Sequence, residues 1–381
     1  MKKTYKISLA AGATMLVMGF AGSAMAFHGG GVAHCDGCHS MHNSADNPRA
    51  GSATAADLMK GSDASSTCLN CHSGSAGSYH IATPNGGTMS QGGDFFWVQT
   101  DYTYTSRGTS LATSKGENHG HSIVAADFGF LADTTNVTAP GGAMASNTLG
   151  CTSCHDPHGQ VNGGTSNGTA AISVSGSYGA ADPTDGSIHG NYRILGDNGY
   201  KLINTAAPVA TSNGSSGTTV NYGTGMSSWC LSCHPTFNDN SNMHPVNVPV
   251  QMSTYNSYVK TGDFTGNVAT AFDGLVPFER GVTDGSLITH NSTVGVEDAN
   301  DVVMCLSCHR AHGSAFDNGL RWDDNTSEFL AQSGILKTGG TAVTLMAAGA
   351  KPYYAAGVGV DIATKYGTHQ RSLCNKCHAK D

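Results

Sequence analysis

Twelve cysteines occur in this 381-residue chain, and all twelve fall into six copies of one pentapeptide, Cys-x-x-Cys-His. The copies are Cys35/Cys38/His39, Cys68/Cys71/His72, Cys151/Cys154/His155, Cys230/Cys233/His234, Cys305/Cys308/His309 and Cys374/Cys377/His378. Two thiols at this spacing with an imidazole directly after them form the attachment signature of a c-type haem. The sulfurs bond the porphyrin vinyl groups as thioethers, and the His is carried beneath the iron as its proximal axial ligand. One copy alone is equally compatible with a zinc knuckle or a redox dithiol. Six copies that leave no Cys over, behind an export segment, predict six covalent haem c groups.

The N-terminus has the make-up of such a segment. Lys2, Lys3 and Lys6 are followed by the apolar run Leu9 to Phe20, and Ala24-Met25-Ala26 gives a small-x-small cleavage site. Residues 1–26 are therefore expected to be a cleaved signal peptide, with a mature chain from Phe27 and export beyond the cytoplasm. The alternative is an uncleaved anchor. No Cys stands at the cleavage point to take a lipid, and no later stretch reaches the length a bilayer requires, so no transmembrane segment is expected in the mature chain.

Composition fits a haem protein better than a conventional globule. Gly accounts for 51 residues and charged residues for 12%, against a charged share of about 25% in ordinary soluble domains. Such a chain buries too little apolar surface to offset its conformational entropy. Flat apolar macrocycles bonded at two sulfurs and one or two imidazoles supply the missing core and close the loops between attachment points. Successive motifs begin 33, 83, 79, 75 and 69 residues apart, a loose recurrence of haem-binding units rather than a solenoid. The predicted fold is a multihaem cytochrome c, mostly coil with short helices and very little strand, its core a stacked chain of six haems. Residues 27–381 form one hexahaem domain. Each motif should occupy about one helical turn. Short helices are expected at Ser52–Lys60, Gln251–Lys260 and Thr326–Gln332, and strands at Phe95–Thr105 and Ala171–Ser175.

The second axial ligand separates an electron carrier from an enzyme, because an iron closed on both faces transfers electrons and binds no substrate. Beyond the six proximal histidines stand His28, His34, His42, His80, His119, His121, His158, His189, His244, His290, His312 and His369. Six of these twelve suffice for full bis-His ligation. A surface or propionate-pairing role is the competing reading for any one of them. His42, His158 and His312 each follow a proximal His by three residues, in Cys-His-Ser-Met-His, Cys-His-Asp-Pro-His and Cys-His-Arg-Ala-His. Three residues cannot carry the chain to the far face of the same haem, so these are expected to ligate a neighbouring one. Met41, Met226 and Met304 show no regular placement and read as packing residues.

Several runs between the motifs resemble the OmcS-type outer-surface hexahaem c-type cytochromes, whose subunits polymerise into conductive filaments. The runs are Phe27-His28 through Cys35-Asp36-Gly37-Cys38-His39-Ser40-Met41-His42-Asn43-Ser44, Ser78-Tyr79-His80, Gly92-Gly93-Asp94-Phe95 and Cys154 through Gly159. Tyr192 through Gly196, Gly225-Met226-Ser227, Cys305 through His312 and Leu373 through Asp381 continue the likeness, which covers nearly the whole mature chain. It implies six bis-His haems in a continuous stack, alternating parallel-displaced and T-shaped contacts. It also implies a head-to-tail homopolymer in which His42 ligates the fifth haem, on Cys305 and Cys308, of the next protomer. Distal ligands are drawn by this resemblance from His28, His42, His80, His121, His158, His244, His290 and His312, eight candidates for six positions. His34, His119, His189 and His369 match no family histidine and receive no ligand role. The loops around 160–220 and 335–365 align poorly with the family and are expected to face outward.

Charge bears on partners. Loss of the three signal-segment lysines takes the formal net charge from −8 to −11, and twelve haem propionates take it to −23 with all irons ferrous and −17 with all ferric. Such a surface repels nucleic acid and anionic lipid and favours cationic partners or positively charged minerals. The expected partners are a second copy of the chain, other multihaem cytochromes, and metal oxides or other extracellular acceptors. Two other functions remain open: a soluble monomeric electron shuttle, if His42 ligates within its own chain, and a multihaem oxyanion reductase. The reductase needs a haem without a distal ligand, and all six motifs end in an ordinary His.

Overall fold

A computed structural model describes residues 35–40, 58–75, 80–86, 92–105, 111–155, 210–212, 220–231, 233–238, 246–249, 277–282, 300–321, 335–338 and 341–344. Most of these are coil, as the composition predicts. Helix occurs as single turns at Cys35–Cys38, Cys151–Cys154 and Cys305–Cys308, as Met226–Cys230 entering the fourth motif, and as Ala64–His72 containing the whole second motif. Ala64–His72 is the longest, at nine residues. It starts because the Asp63 carboxylate accepts hydrogen bonds from the Ser66 backbone N–H and hydroxyl, both at 2.7 Å. It stops where Ser73 turns extended and donates its N–H to the Leu69 carbonyl.

The strands are short. β1 (Tyr102–Thr105) and β2 (Leu111–Ser114) form an antiparallel hairpin, and β7 (Ile335–Thr338) and β8 (Thr341–Thr344) form another. The two join through β1 and β7 into a four-stranded sheet ordered β2-β1-β7-β8. β3 (Ala210–Ser212) pairs with β4 (Val220–Tyr222), and β5 (Val248–Pro249) with β6 (Val302–Val303). Glu279 ties the last two pairs together through backbone bridges to Tyr222 and Val302.

Among the described residues the apolar interior forms two small clusters, each beside a pair of haem motifs. Leu69, Phe95, Val98, Ile123, Ala125 and Phe130 pack around the second and third motifs, with Cys151 against them. Tyr222, Met226 and Met304 pack beside the fourth and fifth, with Leu306 alongside. Met226 and Met304 therefore do serve as packing residues.

Two expectations change. Residues 58–60, the end of the helix predicted at Ser52–Lys60, are not helical. Leu58 has φ +55°, Met59 bridges to His39, and the segment lies antiparallel to the first motif. The remainder of that prediction lies outside the described residues, as do Gln251–Lys260, Thr326–Gln332 and Ala171–Ser175. The predicted strand at Phe95–Thr105 is a strand only from Tyr102. Phe95–Gln99 is a 3-10 helix, because the buried Asp94 carboxylate accepts the Phe96 N–H at 2.9 Å and winds the chain there.

Candidate functional site

The attachment cysteines of the first five motifs follow one another through space in sequence order. Cys38 lies within electrostatic range of Cys68, and the Cys68 thiol hydrogen-bonds to the sulfur of Cys151. Cys154 in turn lies within range of Cys230, whose thiol hydrogen-bonds to the sulfur of Cys305. The interaction with the partner sulfur, together with burial, pushes the Cys68 and Cys230 thiols up, and the same interaction holds Cys151 and Cys305 down against the opposing effect of their burial. The strongest interactions between motifs thus join the second to the third and the fourth to the fifth, and weaker ones connect the rest.

A return segment brackets the first and fifth motifs in the same way. Ser40 N–H donates to the Leu58 carbonyl and Lys60 N–H to that of Cys38, at 2.6 and 2.9 Å. Arg310 N–H donates to Gly319 and Arg321 N–H to Cys308, at 2.7 and 2.9 Å. Leu58 and Gly319 occupy equivalent places, with φ +55° and +62°. Within the second bracket His309 gives its Nδ1 to the Asn318 carbonyl at 2.8 Å. His234 gives Nδ1 to the Pro140 carbonyl at 2.7 Å, and His121 gives Nδ1 to that of Ala311 at 2.5 Å. A histidine that donates one nitrogen to a backbone carbonyl presents the other, Nε2, as a basic ligand in a fixed orientation.

Two imidazole pairs have the separation that a shared iron demands. A ring nitrogen lies about 1.1 Å from its ring centre and about 2.0 Å from a first-row metal it ligates, so rings on opposite sides of one metal have centres about 6.2 Å apart. His121 and His234 are 6.1 Å apart, and His155 and His312 are 6.2 Å apart. Burial lowers the pKa of His121, of His155 to about 4 and of His312 to about 3, with nearby imidazoles adding to the effect on each. The His155 and His312 rings are thus neutral at ordinary pH, the state that binds metal. Phe95 packs against the outer side of His312, with centroids 4.8 Å apart.

The placement of His121 and His312 depends on a backbone crossing. His312 N–H donates to the Gly92 carbonyl, Asp94 N–H to Gly313, and His121 N–H to His312. Gly93, at φ +89°, meets Gly313 so closely that an added Cβ would lie 1.9 Å from its carbonyl oxygen. A Cβ on Gly120 would lie 2.5 Å from the His312 carbonyl oxygen. The fifth motif's extension is therefore held between 92–94 and 119–121, with glycine where the chains touch.

His80 lies beside the second motif, its ring against Gly74, where a Cβ would sit 3.1 Å from the imidazole. His119 is differently employed. It is fully buried, hydrogen-bonded at Nδ1 to the Trp97 carbonyl at 2.8 Å and at Nε2 to the Ser114 hydroxyl at 2.5 Å, with Asp317 at 3.8 Å. Both its nitrogens are committed to protein. Cys71, Cys233 and Cys308 fall within their motifs beside His72, His234 and His309, and burial pushes the Cys308 thiol up to about 11. Cys35 opens the first helical turn, which leads into His39. Cys374, Cys377 and His378 lie outside the described residues, as do the candidate ligands His28, His42, His158, His244 and His290.

These residues fit covalently attached haem. Each described thiol pair sits at a helical turn or its end, and its imidazole follows directly. Among the described residues no three His, Cys, Asp or Glu side chains converge to hold a bare metal ion, as a zinc knuckle would require. Sequence reasoning missed Ser65 and Ser227, which hydrogen-bond the backbone of the next motif, and Glu279, whose carboxylate caps the Met226–Cys230 turn. A Ser three residues before the first Cys of motifs two and four was the available signal.

Comparison with known proteins agrees with this geometry. No family model matches the chain. It is 41% identical, over 436 aligned positions that cover all of both chains, to the c-type cytochrome OmcS of Geobacter sulfurreducens. Two solved structures are similar across 93% of this chain and all of theirs. An outer membrane cytochrome S filament from Geobacter sulfurreducens has a TM-score of 0.61 at 38% identity. OmcS nanowires from the same organism, seen by electron cryo-microscopy, have a TM-score of 0.60 at 36% identity.

Proposed function

The chain belongs to the OmcS family of c-type cytochromes, and from that premise we propose that it is the subunit of an extracellular electron-carrying filament. Six haem c groups, when bound, supply one-electron iron chemistry. The chain's own residues attach, orient and enclose them. The ordered approach of five attachment motifs, Cys38 to Cys68 to Cys151 and Cys154 to Cys230 to Cys305, carries this reading. It brings consecutive cofactors together along a line rather than around a substrate pocket.

Axial roles follow from the imidazole geometry. His39, His72, His155, His234, His309 and His378 are assigned as proximal ligands, with thioethers at Cys35, Cys38, Cys68, Cys71, Cys151, Cys154, Cys230, Cys233, Cys305, Cys308, Cys374 and Cys377. His312 is assigned as the distal partner of His155, and His121 that of His234, supported by the 6.2 and 6.1 Å separations. His312 thereby serves the third site although it follows the fifth motif in sequence, the arrangement its three-residue spacing requires. Irons closed on both faces by imidazole carry electrons, and no residue here is assigned a catalytic role.

The signal segment is read as cleaved before Phe27, with residues 27–381 as one domain at the outer surface or beyond it. There the chain passes electrons to other multihaem cytochromes or to metal oxides. His42 of one copy is proposed to ligate the fifth haem of the next, opposite His309, whose ring the Asn318 carbonyl already orients. His42→Ala should leave six haems attached, expose one five-coordinate iron per chain and abolish filaments under the electron microscope. His34→Ala should do neither. Filaments with fully six-coordinate iron in His42→Ala would show that His42 is not the ligand that joins one copy to the next.

A further inference from the structure

The first N–H groups of a helix have no partner within it and are ordinarily satisfied by a capping side chain immediately before them. The helical turns of the third and fifth motifs do this differently. Their N-cap residues are Gly150 and Met304, neither of which makes a side-chain capping bond to the turn. The first N–H of each turn finds a hydroxyl on another motif instead. Cys151 N–H donates to Ser65 Oγ at 3.0 Å, across 86 residues of chain. Cys305 N–H donates to Ser227 Oγ at 3.1 Å, across 78 residues.

The two arrangements share the same hydrogen bonds, though their N-cap residues differ. Ser65 and Ser227 each stand three residues before the first Cys of an even-numbered motif, and both are buried. Each recipient turn carries a buried Ser at its third position, Ser153 or Ser307, whose hydroxyl accepts the N-cap N–H at 3.0 or 3.1 Å. In each pair the first cysteines, Cys68 with Cys151 and Cys230 with Cys305, lie close enough to shift each other's ionisation. The two terminal motifs lack both halves of the device. Val32 and Arg371 stand where the preceding Ser would be, and Gly37 and Lys376 occupy the third position of the motif.

We propose that Ser65 and Ser227 are positioning residues that fix the spacing of haem 2 to haem 3 and of haem 4 to haem 5, and so set the electronic contact within each pair. The proposal rests on the electron-transfer reading above. A hydroxyl that joins one attachment turn to the next locks both sulfur anchors into one register, and electronic coupling between cofactors falls steeply with separation. The end motifs, without this device, leave their register to contacts outside the inner four.

The test is Ser227→Ala in the full holoprotein, with Ser307→Ala as its control. Ser307→Ala removes a buried hydroxyl from the same turn but none that joins motif four to motif five. Both variants should hold six haems and keep six-coordinate spectra. Ser227→Ala should lose amplitude in the exciton couplet of the Soret circular dichroism and several-fold in filament conductance. Ser307→Ala should keep both near the unaltered protein, and Ser227→Thr, which retains the hydroxyl, should recover them. Should Ser227→Ala fail to fold, Ser65→Ala decides by the same readouts at the equivalent pair. An unchanged couplet and conductance would overturn the proposal, as would loss of an attached haem or an equal effect from Ser307→Ala. Absence of a couplet in the unaltered protein would count against the electron-transfer reading instead.

Discussion

Removing His121 and His312 separately and together tests the axial assignments by counting irons. Each ring faces a different proximal imidazole, His121 toward His234 at 6.1 Å and His312 toward His155 at 6.2 Å. Each single alanine variant should therefore open one of the six irons, and the double variant two. Near-infrared magnetic circular dichroism of the ferric protein gives the high-spin share, and carbon monoxide titration of the reduced protein gives open sites per chain. One equivalent is expected in each single variant and two in the double. The space left by His312→Ala against Phe95 has the shape of the lost ring, so added imidazole should close that site again and suppress carbon monoxide binding. One equivalent in the double variant would mean that the two histidines share an iron. None in either single variant would remove both from the ligand set.

Two further outcomes concern stability. Leu58 holds φ +55° while 44% exposed, at the place the fifth motif's return segment fills with Gly319. Left-handed backbone costs a side-chain-bearing residue about 1–2 kcal/mol, partly offset by the entropy of a new glycine, so Leu58→Gly should raise unfolding stability by about 0.5–1 kcal/mol in urea; a loss of that size would refute the strain. Glu279 is buried, which raises its pKa above the ordinary 4.5 despite hydrogen bonds from the Ser227 and Gly225 N–H groups. Its folded pKa exceeds its unfolded one, so its contribution is complete below pH 4.5 and declines as pH rises through the raised value. Glu279→Gln should flatten the fall in stability from pH 4.5 toward neutrality, and an unchanged slope would show that Glu279 does not cause it.

The attachment chemistry was legible because it is local: thiol, thiol and imidazole within five residues can be read without a fold. The expectation that His312 serves another haem was read on the same local ground, since three residues of chain have a fixed reach. Its neighbour was not. His155 comes within 6.2 Å of His312 only through the crossing of 92–94, 119–121 and 310–314, and no pattern in Gly92, Gly93, Gly120 or Gly313 announces which segments will meet. Residues 58–60 read as the end of a helix from local propensity, but pairing with Cys38–Ser40 prevailed. Phe95–Gln99 read as strand from its aromatic and β-branched residues, while Asp94 wound it into a 3-10 turn. The hairpin partner Leu111–Ser114 gave too short a signal to register.

The crossing at Gly93, Gly120 and Gly313 also sets an order of events as the chain emerges into its final compartment. His121 is oriented by the Ala311 carbonyl, 190 residues further on. The ring assigned opposite His155 comes from a segment more than 150 residues downstream. On these assignments the third and fourth sites stay half-built while most of the polypeptide is still being delivered, and they close together when residues 311–313 arrive. A chain truncated just before residue 311 carries five complete attachment motifs yet lacks both the ring that faces His155 and the carbonyl that orients His121. Completion of the inner sites thus reports that the fifth motif has been delivered.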